Sequence, residues 1–156
     1  MLFRSDQWYL KGGRPSLKIN YSWNDTSHTE TVFIEQTQQL KYNPLYRLPL
    51  QVDLYLKDTV VRHRIVLSGQ KQSFDFPGES KPLLVNVDAA KTLLCTKKDN
   101  HTPEEWRYQY LHGPLFADKY EAISALSKDY ASGTAESKTL RSALGDPSAR
   151  IRKIVI

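Results

Sequence analysis

Asp6-Gln7-Trp8 leads through Gly12-Gly13-Arg14-Pro15 into Leu17, Ile19, Tyr21 and Trp23, four apolar residues at strict two-residue spacing. The reading of this stretch, Asp6 to Trp23, decides the fold. Polar Lys18, Asn20 and Ser22 fill the alternate positions, so one face is buried and the other wet, as on a strand of an antiparallel sandwich. The glycine pair and the proline set the angle at which the chain enters that strand.

The same period recurs downstream. Asn24 to Ser27 is a turn cluster, and Thr31 to Thr37 alternates with Val32 and Ile34 on one face, which predicts a hairpin. Gln38 to Pro49 carries Pro44 and Pro49 and reads as a loop crossing between sheets. Leu50, Val52, Leu54 and Leu56 then alternate with Gln51, Asp53 and Tyr55, and further strands are expected over 60–67, 72–76, 83–87 and 92–95. Seven short strands with turns between them suggest an immunoglobulin-like β-sandwich.

At Lys97-Lys98-Asp99-Asn100 the pattern changes to a polar linker. Thr102-Pro103-Glu104-Glu105 fits a capping box, with Pro103 where no amide hydrogen is needed. Trp106 and Tyr110 share the buried side of that helix, and His112-Gly113-Pro114 stops it. Phe116, Tyr120, Ile123, Leu126 and Tyr130 predict the apolar face of a second helix ending at Ser132-Gly133, with Asp118, Lys119, Glu121 and Lys128 on its solvated side. Leu140, Ala143 and Leu144 mark a third helix closed by Gly145. Asp146-Pro147 caps a fourth with Ile151, Ile154 and Val155 on its apolar face, and this pairing is similar to a HEAT-type repeat. The sequence stops within that helix, so its apolar end is expected to need a further helix to cover it.

These features resemble the gluzincin zinc aminopeptidases, the family of membrane alanyl aminopeptidase and leukotriene-hydrolase-like enzymes. In that family a Gln-Trp pair, here Gln7-Trp8, closes the catalytic domain. A Gly-x-Pro, here Gly13-Arg14-Pro15, then opens a small β-sandwich. A Gln like Gln36 ends strands before a long loop that returns as Arg47-Leu48-Pro49-Leu50, and a helical domain follows. The resemblance implies residues 1–12 as a junction from an absent upstream catalytic domain, 13–96 as an immunoglobulin-like sandwich, 97–101 as a linker and 102–156 as a truncated HEAT-like helical region.

The chemistry of that family depends on H-E-x-x-H on a helix plus a Glu from a second helix. Here the histidines are His28, His63, His101 and His112, and no two stand at i, i+4. No catalytic, cofactor-binding or metal-ligating residue is therefore assigned, and no cofactor is expected in this chain. Zinc and peptide hydrolysis belong to the parent enzyme that the resemblance implies, a zinc metalloaminopeptidase. The partners it implies are the chain's own catalytic domain and, for the parent, peptide substrates. The alternative is a freestanding immunoglobulin-like plus helical-repeat module that binds another protein.

Other candidates have plainer readings. His63 alternates with Val61 and Ile65 as an edge or core histidine. Glu104 and Glu105 point about 100° apart on a helix and form no acid–base dyad. Trp8, Trp23 and Trp106 read as packing residues. Cys95, the one cysteine, reads as a buried, inert thiol. The formal charge of +5 is spread evenly, with twelve basic against nine acidic residues up to Cys95 and ten against eight from Thr96 onward. That is no basic stripe for nucleic acid, and nowhere do eighteen apolar residues run together.

Overall fold

In the computed structural model, residues 13–128 and 135–156 are described. The chain divides into two compact units, Met1–Asn100 and His101–Ile156. The described residues form two sheets with seven strands and four helices. The strands are β1 (Ser16–Asn24), β2 (Thr29–Gln36), β3 (Leu48–Tyr55), β4 (Val60–Leu67), β5 (Lys71–Pro77), β6 (Leu84–Val87) and β7 (Thr96–Asp99). One sheet runs β5-β2-β1-β7 and the other β4-β3-β6.

Alternation decides which side chains meet between the sheets. Leu17 and Ile19 of β1 and Val32 and Ile34 of β2 share one hydrophobic core with Leu48, Leu50, Val52 and Leu54 of β3 and Val85 and Val87 of β6. Antiparallel register sets Ile19 against Ile34 and Leu17 against Gln36. Gln36 is fully buried and ties the long loop to the core. Its Nε2 donates to the Tyr46 carbonyl at 2.8 Å and its Oε1 accepts from the Tyr46 amide at 3.0 Å. Gly13 has φ of +100°, and a Cβ there would overlap Asn43 Oδ1, so the entry to β1 requires glycine.

Three expectations about this unit are corrected. The linker expected over 97–101 is largely strand: β7 pairs in parallel with β1, with Leu17 opposite Lys97 and Ile19 opposite Asp99. Its charges face inward at the rim because they satisfy one another. Lys97 Nζ lies 3.3 Å from Asp99 Oδ2, Tyr21 Oη donates to Asp99 Oδ1 at 2.5 Å, and Lys97 Nζ also donates to the Val87 carbonyl at 3.2 Å. The strand expected over 92–95 is not one. Leu93 and Cys95 do turn toward the core, but Cys95 is only half-buried, and the Asp88 carboxylate holds the segment by accepting from the Thr92 and Leu93 amides. The loop expected up to Pro49 ends earlier, because β3 begins at Leu48 and includes Pro49. β6 flanks β3 only from Val52 to Tyr55, so the missing amide hydrogen of Pro49 leaves no ladder bond unmade.

The helical unit contains α1 (Pro103–His112), α2 (Phe116–Leu126), α3 (Ala135–Ala143) and α4 (Ala149–Ile154). The α1 capping box forms as expected: Thr102 Oγ1 accepts from the Glu105 amide at 3.3 Å, and Glu105 Oε2 accepts from the Thr102 amide at 2.8 Å. Tyr110, Ala122, Ile123, Leu126, Leu140, Ala143 and Ile151 build one core, with Trp106, Ile154 and Val155 against it.

The face of α2 is a further correction. Asp118 is fully buried and Phe116 and Tyr120 are 44% and 45% exposed, the reverse of the expectation. The Asp118 carboxylate accepts from the Leu115 amide at 3.0 Å and caps the helix, while Gln109 Nε2 donates to the Asp118 carbonyl at 3.1 Å. A Cβ on Gly113 would stand 2.5 Å from that of Asp118, so this turn closes only over glycine. Leu144 is also exposed rather than packed. Tyr130 and Ser132-Gly133 lie outside the described residues, as do Trp8 and the whole junction 1–12.

Candidate functional site

Each histidine is held by local packing. His28 sits at φ +49° in the β1–β2 turn, edge-on to Trp23. His63 packs on the Phe76 ring at 4.8 Å, and His112 stacks on Tyr108 at 4.1 Å. The His101 side chain is buried, edge-on to Trp106, with Nδ1 3.4 Å from Glu105 Oε2. Burial alone would raise the pKa of Glu105, but the neighbouring His101 imidazole and the hydrogen bond from the Thr102 amide hold it below the usual carboxylate value. Among the described residues, no three His, Cys, Asp or Glu side chains converge on a point where a metal ion would bind. Trp23 is fixed by an indole N–H donated to Asp25 Oδ1 at 2.7 Å.

Two constellations were not anticipated. On the helical unit, Phe116 and Tyr120 stand 5.9 Å apart on α2 and face Arg150, Lys153 and Ile154 of α4 across a cleft of about 610 Å³. Two exposed rings and two exposed cations stand beside the aliphatic Ile154 in this cleft. The signal that separates this face from the buried one is the spacing Asp118, Ala122, Leu126, which places a capping residue in line with two small or apolar core positions.

On the sandwich unit, Lys97, Asp99 and Tyr21 form the rim network, and Asp88 and Lys91 both take left-handed backbone conformations beside it, at φ +56° and +50°. Burial raises the Asp88 pKa, opposed by the Leu93 and Thr92 amides and by Lys91 and Lys97. The Asp88 carboxylate accepts from the Thr92 and Leu93 amides and so closes the 88–93 turn.

No family model matches the chain, and no curated protein sequence matches it. Among solved structures it is similar to the crystal structure of Legionella pneumophila aminopeptidase A in complex with aspartic acid, with TM-score 0.66 and 14% sequence identity. The match covers 93% of this chain and 18% of that one. The chain thus spans about a fifth of the length of the protein it resembles, and the likeness is one of backbone arrangement: an aminopeptidase-like fold.

Proposed function

We propose that the chain is a non-catalytic structural region of a zinc aminopeptidase of the gluzincin type. The observation that carries this reading is the likeness of nearly the whole chain, 93% of it, to less than a fifth of an aminopeptidase. Topology supports the immunoglobulin-like part: β1, β2 and β5 form one sheet and β3 and β6 pair in the other, as strands A, B, E and C, F do in that fold. β7 departs from the pattern by joining β1 instead of β6. The helical part is read as HEAT-like because α1 to α4 bury a shared core that no one helix covers alone. In the parent enzyme the sandwich and helices would support the catalytic domain and close it over the substrate's N-terminus. Zinc and the catalytic carboxylates would be held by that domain.

The test is made on the 156-residue chain itself. After dialysis against a zinc-containing buffer and then a zinc-free one, metal analysis is expected to find far less than one zinc per chain, and a panel of aminoacyl-naphthylamides is expected to stay intact. One tightly held zinc together with release of naphthylamine would overturn the proposal.

A further inference from the structure

Among the described residues, the β3–β4 hairpin leaves one edge of its sheet open. The Leu56 amide donates to the Thr59 carbonyl at 2.9 Å, so Leu56 and Thr59 bond to each other across the turn. Alternation along the antiparallel register then turns the N–H and C=O of Val61, His63, Ile65 and Leu67 toward β3. The backbone groups of Val60, Arg62, Arg64 and Val66 point the other way, where β4 is the last strand. The His63 ring on Phe76 shows that β4 lies over β5, the last strand of the other sheet, so both sheets end on this side. The core is thinly covered there: Val61 is 38% exposed, and Ile65 and Phe74 are half-buried.

An edge this long is ordinarily blunted by charged side chains, proline, a bulge or a covering segment, and of these, among the described residues, β4 carries only the charges. β4 has the sequence VVRHRIVL and pairs with β3 along its whole length without a break in register. Its outer face carries Arg62 and Arg64. Asp53 grips Arg62 with two hydrogen bonds of 2.7 Å, while Arg64 is exposed and makes no ion pair among the described residues.

These charges choose the occupant. Two-fold pairing with a second copy of β4, centred on Arg62, His63 or Arg64, sets an arginine directly opposite an arginine, and like charges so placed destabilise a strand pair. We propose that β4 takes up an extended segment of a partner protein in which carboxylates alternate with β-branched apolar residues. The carboxylates lie beside Arg62 and Arg64 on the outer face, and the apolar residues cover Val61 and Ile65 on the inner one. This holds whether or not the aminopeptidase reading does.

The test uses the isotope-labelled 156-residue chain and two blocked peptides, one alternating valine with aspartate and one alternating valine with lysine. The aspartate peptide is expected to slow hydrogen exchange at the amides of Val60, Arg62, Arg64 and Val66, and to bind roughly ten times more tightly than the lysine peptide. Arg64→Glu is expected to reverse that preference. The near-isosteric Arg64→Gln is expected to weaken the aspartate peptide without favouring the lysine one. No protection of these four amides at saturating aspartate peptide, equal binding of the two peptides, or an Arg64→Glu variant with unchanged preference would each overturn the proposal. So would a dimer of the chain alone that protects the same amides.

Discussion

Gln36 shows how much one buried polar side chain settles. Both ends of its amide are occupied, by the Tyr46 main chain, the Gly69 carbonyl at 3.2 Å and the Gln38 side chain at 3.0 Å. Gln36→Leu keeps the volume but strands the Tyr46 amide and carbonyl. At about 1–3 kcal/mol for each of these two buried groups left unsatisfied, a loss of about 2–6 kcal/mol is expected in urea unfolding, and a loss below about 0.5 kcal/mol would mean that water replaces the amide. Tyr110 makes a matching point in the helical unit. Its hydroxyl donates to Asp146 Oδ2 at 3.0 Å, and burial, with the hydrogen bond and charge of Asp146, pushes its pKa up to about 12 from 10.0. Because the folded state holds this proton more tightly, its stabilisation is whole below pH 10 and is lost as pH rises through about 12. At roughly 1.4 kcal/mol per pKa unit, the helical unit should weaken over that window in wild type, and Tyr110→Phe should flatten the profile. At this scale Gln36 was legible only through a family resemblance. Asp118 was misplaced because a carboxylate was assigned to water when a backbone amide had claimed it.

Among the elements, strands with alternating apolar residues were read correctly from sequence, since β1 and β2 bury the residues their period selects. The capping box of α1 was equally legible, because its two hydrogen bonds are local. β7 was not, because its inward positions are Lys97 and Asp99, and no hydrophobic period marks a strand whose charges neutralise each other at a rim. The Lys97 and Asp99 side chains are 10% and 4% exposed. Removing one partner of such a pair leaves a charge without its counter-ion and costs about 3–5 kcal/mol, while replacing both by apolar residues is often near neutral. Asp99→Ala is therefore expected to destabilise strongly in thermal unfolding, and Lys97→Met with Asp99→Leu to recover most of the loss. Equal destabilisation by the single and double variants would show that the pair does not act as a unit. The apolar face of α2 was read correctly at Ile123 and Leu126 and misread at Phe116 and Tyr120: these two fit a helical stripe as well as the true core residues do, and only the buried cap of Asp118 distinguishes them.

At the scale of the whole molecule, the change of hydrophobic period near residue 100 falls where a unit of two sheets gives way to a helical one. The cleft between α2 and α4 and the open edge of β4 were not legible in the sequence, since each depends on residues that meet only after folding. Backbone likeness to part of an aminopeptidase supports the proposal that the chain works as a supporting part of a longer zinc enzyme. The most direct measurement starts from the native polypeptide, isolated from its source with an antibody raised against the sandwich unit, and determines its mass, its zinc content and its hydrolysis of aminoacyl-naphthylamides. The account predicts a polypeptide several times heavier than 18.0 kDa that holds one zinc and releases N-terminal residues. A native species that is active or zinc-loaded at 18.0 kDa, or a longer one with neither zinc nor activity, would contradict it.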